Sequence, residues 1–169
     1  AAGRVRTLRG VMITIGIDPG LSGAVGVLRD GRFVAVEDMP TVAKGSGSVK
    51  SEVDAAGLLA ILRHHVAPDE DVAVVLERVN AMPGQGVSSV FSLGDSFGVA
   101  RAAVAAARLS LTYTSPVTWK RHFGLSSDKE QCRAFAIRLY PDAPLNLKKY
   151  ADRAEALLMA QWLYEKHFK

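Results

Sequence analysis

The stretch Met12-Ile13-Thr14-Ile15-Gly16-Ile17-Asp18-Pro19-Gly20 decides the fold. Its apolar, β-branched first part reads as a buried strand over Met12 to Ile17. Asp18-Pro19-Gly20 is turn chemistry and ends that strand, so a carboxylate stands at its C-terminal end. Two further strands follow, Gly23 to Arg29 and Arg32 to Glu37. The Asp30-Gly31 pair between them is a strong two-residue hairpin signal. Together these segments predict a three-stranded antiparallel meander with an acid in its first turn.

Outward from the meander, Thr41 to Lys50 is rich in Gly, Ser and Lys and reads as a mobile loop. Ser51 is the expected cap of a helix reaching about His65, with apolar positions at Leu58, Leu59, Ile61 and Leu62. Asp71 to Leu76 is a continuous apolar run after a helix, which fits a central parallel strand covered on both faces; Glu77 sits at its end. A loop over Asn80 to Gly86 leads into a long Ala-rich helix, about Val87 to Ala107, carrying Gly94 and Gly98 four residues apart. Small residues at that spacing suit a close approach, either to the chain's own sheet or to a second copy. Leu109 to Thr114 reads as another strand, Ser115-Pro116 as the start of a short helix, Asp128 to Tyr140 as a helix closed by Pro141, and Ala151 to His167 as the last helix. A meander followed by strands alternating with helices predicts an α/β fold on a mixed five-stranded sheet flanked by helices, the strand order of the RNase H-like fold.

At 169 residues the chain fits one domain, assigned to 12–169. Residues 1–11, with three arginines and no acid among the first ten, read as a leader, an expression scar or a disordered arm outside it. The single Cys132 excludes an internal disulfide and suits a reducing compartment. No apolar run reaches the roughly 20 residues of a membrane span. With no secretory signal pattern either, the expected location is cytoplasmic, an organellar origin being the alternative. The formal charge of +4, from 21 Lys+Arg against 17 Asp+Glu, permits nucleic-acid binding without requiring it. The basic residues gather at Lys120-Arg121-His122 and at Lys148-Lys149.

Four carboxylates stand out by position. Asp18 and Glu77 end two strands expected side by side, and Asp152 and Glu155 lie three apart near the start of the last helix, so they share a face. Read singly, Asp18 fits an Asx turn, Glu77 a solvated strand end, and the helix acids a favourable dipole position. Read together, converging carboxylates repel unless cations neutralise them. Hard oxygen ligands select Mg²⁺ or Mn²⁺, and two such ions form the usual clamp for phosphodiester hydrolysis.

Three segments then carry a family resemblance. Ile15-Gly16-Ile17-Asp18-Pro19-Gly20, Leu76-Glu77-Arg78-Val79 and Ala151-Asp152-Arg153-Ala154-Glu155-Ala156-Leu157 resemble, in order, the three acidic motifs of RuvC-type Holliday junction resolvases. Pro83 through Gly98 and Thr118 to Phe123 are more like phage, bacterial and organellar members than the best-known cellular enzyme. The resemblance spans Met12 to about Tyr164. It implies a homodimer that binds four-way DNA junctions and makes paired symmetric nicks, because two strands of like polarity must be cut. It implies that Asp18, Glu77, Asp152 and Glu155 ligate Mg²⁺ or Mn²⁺ ions, two per site, and that Lys120 approaches the scissile phosphate.

Arg121, Lys148 and Lys149 are expected phosphate contacts or simply solvated charges. Two departures stand out: the fourth acid is Glu rather than Asp, and the loop after Glu77 reads Asn80-Ala81-Met82 where some relatives carry a wedging aromatic. Met82 either wedges into the junction or packs locally, the latter being the expectation. Phe91, Phe97 and Trp119 are expected in the core rather than stacked on bases. The rival readings are another RNase H-like nuclease acting on RNA–DNA hybrids or ends, a non-catalytic junction-binding protein, and an actin-like phosphate loop at Gly16 to Gly23.

Overall fold

The computed structural model describes residues 10–47 and 49–168; the expected leader lies almost wholly outside them. The main sheet holds β1 (Met12–Asp18), β2 (Ala24–Arg29), β3 (Arg32–Asp38), β6 (Asp71–Glu77) and β7 (Ser110–Thr114), in the order β3-β2-β1-β6-β7. β1, β2 and β3 pair antiparallel, whereas β6 and β7 run parallel to β1. This is the expected mixed five-stranded sheet. The Asp30-Gly31 turn has φ of 48° and 73°, the left-handed conformation that a tight hairpin of this kind requires. The helices are α1 (Ala55–His64), α2 (Val87–Ala106), α3 (Pro116–His122), α4 (Lys129–Leu139) and α5 (Ala151–His167).

Two local expectations are corrected. The segment read as a loop from Thr41 to Lys50 contains a strand, β4 (Thr41–Ala43), which pairs antiparallel with β5 (Ser51–Val53). Ser51 is therefore a strand residue. Asp54 precedes α1 in its place, in an extended conformation and without a side-chain cap bond. Gly and Ser dominate the sequence signal here, and each of the strands they separate is too short to show an alternating pattern.

The period-two alternation of β1 sorts the molecule into layers. Ile13, Ile15 and Ile17 join Val25, Val27, Val74, Leu76, Leu58, Leu62, Ala100 and Val104 in one apolar cluster under α1 and α2. On the opposite face, Leu28 and Val75 pack with Trp119, Cys132, Ala154, Leu157 and Leu158 of α3, α4 and α5. Gly16 falls on this second face, and a Cβ there would lie 2.0 Å from the Ala156 carbonyl oxygen. Its cross-strand partner Gly26 would meet Leu157 N at 2.7 Å. The two glycines thus form a bare patch on which the α5 backbone rests directly. From Ala154 to Leu163 every residue of α5 is buried, as expected for a helix enclosed by a sheet and a second helix layer.

By the same alternation Asp18 shares the face of Gly16, and Glu77 shares that of Val75. The strand ends therefore deliver both acids to the side where α5 lies.

Gly16→Ala should force α5 away from the sheet. Overpacking of this kind costs about 1–3 kcal/mol, a melting-temperature loss of several degrees at roughly 2–4 °C per kcal/mol. Thermal unfolding checks it; a variant melting with the parent would contradict the backbone contact.

Candidate metal centre

The site lies at the C-terminal ends of β1 and β6, the edge at which open α/β sheets place their ligands. Ile17 and Leu76 are register partners in the parallel pair, so Asp18 and Glu77 leave adjacent strands side by side. Asp18 is fixed by the turn after it: Gly20 N donates to Asp18 Oδ1 at 3.4 Å, and a Cβ on Gly23 would lie 2.1 Å from the Asp18 carbonyl oxygen. Only glycine fits where the chain folds back so tightly. Asp152 and Glu155, one turn apart on α5, are brought over the strand ends by the helix's seat on Gly16 and Gly26. Single oxygens of Asp18, Asp152 and Glu155 all lie within 4.8 Å of one another. Glu77 stands beside this trio rather than in it, and its Oε2 accepts a 2.7 Å hydrogen bond from Trp119 Nε1.

Electrostatics record the crowding. Burial, then the Glu77 and Asp152 charges, push the Asp18 carboxyl up to about 7, against the partial relief of the Gly20 N–H. Burial also raises Glu77; the Trp119 hydrogen bond opposes the shift, and the Glu155 charge adds to it. Two lysines supply counter-charge. Lys120 Nζ is 2.7 Å from Glu155 Oε1, and Lys129 Nζ pairs with Asp152 and lies 4.0 Å from Glu155 Oε2. Burial lowers the Lys129 ammonium, but its hydrogen bond to Asp152 and the Asp152, Glu155 and Asp18 charges reverse this and leave it raised.

The residues fit a hard divalent cation. All the donors are carboxylate oxygens, the ligand type that magnesium and manganese take. Glu155 Oε1 is buried and meets the Lys120 ammonium at 2.7 Å, so a positive charge already stands against this carboxylate. Buried carboxylates gathered this closely are costly unless cations meet them, and the lysines meet only the α5 acids, not Asp18.

Lys129 is the group sequence reasoning missed. It lies at the start of α4, far in sequence from every acid of the site, and only the Asp128 cap before it marks the position. Lys120, which the sequence singles out, is held in α3 beside Glu155. Arg121, Lys148 and Lys149 are exposed. Lys148 and Lys149 form a 3₁₀ turn directly before α5, and Lys149 shares a pocket of about 310 Å³ with Ser22, Gly23 and Arg153. Lys120 and Arg121 border another pocket of about 410 Å³ with Ser126 and Ser127.

One core expectation fails: Phe91 is 70% exposed. Met82, in the loop after Glu77, is 61% exposed. Trp119 is fully buried and Phe97 packs against the core, as expected. A Cβ added at Gly94 or Gly98 would meet nothing within 4 Å beyond the adjoining helix backbone, so neither glycine packs against the chain's own sheet.

A scan against protein-family models finds no match, and no curated protein sequence matches the chain. Among solved structures, the chain is similar to T. thermophilus RuvC in complex with a Holliday junction substrate. That match has a TM-score of 0.60 and 19% identity, and covers 93% of this chain and 96% of the other. A second structure of Thermus thermophilus RuvC gives 0.54 and 18%, over 92% and 96% of the two chains. The fold is RuvC-like. Among the described residues, no helix is long and apolar enough to cross a membrane.

The Asp18 shift fixes the sign of a pH dependence. Its folded value near 7 exceeds the reference 3.8, so the folded chain keeps a proton that the unfolded chain has lost between those values. The ionisation penalty is absent below about pH 4, grows through the window, and is complete above about pH 7. In EDTA, Asp18→Asn should therefore melt above the parent at pH 8 and with it at pH 4. Parallel melting curves at both pH values would contradict the crowding.

Proposed function

We propose that the chain is a divalent-cation-dependent endonuclease that cuts branched DNA, with the four-way junction as substrate and a homodimer as the working unit. The observation that carries this reading is the convergence of Asp18, Asp152 and Glu155 oxygens within 4.8 Å at the strand ends of a RuvC-like sheet. Asp18, Glu77, Asp152 and Glu155 would hold Mg²⁺ or Mn²⁺. When bound, such ions polarise the phosphate and lower the pKa of the attacking water. The water oxygen joins phosphorus, the bond to the 3′ oxygen breaks, and the cut leaves a 5′-phosphate and a 3′-hydroxyl.

The chain's own groups do the rest. Lys120, mostly buried against Glu155 and the Trp119 ring, places a fixed positive charge where negative charge develops on the phosphate. Lys129, 59% exposed at its side chain and paired with Asp152, would be released toward the DNA once a bound cation neutralised the acids. Arg121, Lys148 and Lys149 flank the site and grip neighbouring phosphates. Met82, exposed in the loop after Glu77, supplies an apolar surface for an unstacked base step at the junction centre.

One site cuts one strand, so symmetric resolution needs two copies. The row Val87, Phe91, Gly94 and Gly98 on α2 supports the pairing surface: Val87 is 86% and Phe91 70% exposed, and both glycines are open to a close approach. Large exposed apolar groups on one helix face favour a protein contact.

Asp18→Asn and Glu77→Gln should each abolish cleavage of a synthetic four-way junction in Mg²⁺ while junction binding persists, because grip comes mainly from basic contacts. Lys129→Ala should lower the cleavage rate by about 10²-fold or more. Equal cutting of an RNA–DNA hybrid or linear duplex would contradict the junction assignment. Phe91→Asp should leave the chain monomeric by sedimentation and unable to make paired nicks; a dimeric Phe91→Asp variant would move the interface elsewhere.

A further inference from the structure

Trp119 occupies an unusual position for a core residue. Its indole is fully buried, yet its N–H is spent on Glu77, a charged group at the site. The local fold leads it there. β7 ends at Thr114, the register partner of Glu77, and Arg78 N donates to the Thr114 carbonyl at 2.7 Å. Ser115 then caps α3, its hydroxyl accepting from Thr118 N at 3.2 Å, and Pro116 opens the helix. The first turn of α3 therefore starts beside Glu77, and Trp119 reaches back beneath the carboxylate. The next residue, Lys120, lies with its ammonium 5.0 Å from the Trp119 ring centre. One buried ring thus touches both Glu77 and Lys120.

We infer that Trp119 is a positioning residue for the metal centre: its N–H holds Glu77 Oε2 and leaves Oε1 as the oxygen offered to a cation. The inference rests on the metal-centre reading above. An indole N–H is a single donor of fixed direction, so it selects one orientation of the carboxylate. A lysine or arginine in its place would compete for the charge; a neutral donor orients the acid and leaves that charge available. Partners that orient a ligand in this way typically account for 10–100-fold in metal affinity.

The test is a Mg²⁺ titration of the ¹⁵N-labelled full chain, followed through its indole resonances. The chain has two tryptophans, and Trp119→Phe assigns the peaks. Trp162 lies ten residues beyond Asp152 on α5, roughly 15 Å along the axis. The Trp119 indole proton should shift as Mg²⁺ binds, the Trp162 one should not, and Glu77→Gln should remove the Trp119 shift. Calorimetry on Trp119→Phe should show metal affinity lowered about tenfold or more, with the rest of the spectrum retained.

The Gly20 amide, which donates to Asp18, separates the two ways this can fail. If Gly20 shifts with Mg²⁺ and Trp119 does not, the positioning role is wrong and the metal centre stands. If neither shifts, the metal centre itself is wrong and the inference goes with it. If Trp119→Phe does not fold, Trp162→Phe assigns the two peaks instead, and the wild-type titration still decides between these outcomes.

Discussion

The molecule depends on a helix backbone lying on a sheet backbone without side chains between them. Gly16 and Gly26, paired across β1 and β2, leave no room for a methyl group under Ala156 and Leu157. Ordinary sheet–helix packing would hold α5 farther out by the depth of a side-chain layer. Asp152 and Glu155 would then stand back from Asp18, and no trio of oxygens would form. The closeness of the acids is thus a consequence of core packing, and the same contact serves both stability and the site.

That closeness carries an electrostatic cost which the chain answers locally. Burial and neighbouring charge drive the Asp18 carboxyl upward, while Lys120 and Lys129 lean in from α3 and α4. Each lysine stands where a cation would otherwise be wanted, yet neither pairs with Asp18, whose carboxyl stays raised among its acidic neighbours. A site tuned only for stability would replace such a cluster with apolar side chains. The all-carboxylate donor set of the cluster suits a hard divalent cation.

Much of this is legible in the sequence, for physical reasons that differ along the chain. The Ile13-Ile15-Ile17 alternation and the Asp30-Gly31 turn speak through local geometry, so the meander and the place of Asp18 can be read directly. The three-residue spacing of Asp152 and Glu155 sets a common face whatever else the chain does. The β4–β5 hairpin escapes such a reading because three-residue strands carry too little pattern to outweigh a Gly/Ser-rich connection. Lys129 escapes it because its role is purely tertiary: nothing near it in sequence is acidic except its own helix cap and Glu130. Phe91 reads as core because composition alone cannot distinguish a face covered by the chain from one left open.

The most direct measurement is a crystal structure grown with Mn²⁺, with anomalous differences locating the ion. The expected result is density among the Asp18, Asp152 and Glu155 carboxylates, with Glu77 contributing from the side and Lys129 displaced from Asp152. A map with no peak there, and both lysines still seated on the acids at saturating Mn²⁺, would show that the cluster is a closed ion-pair network instead of a metal centre.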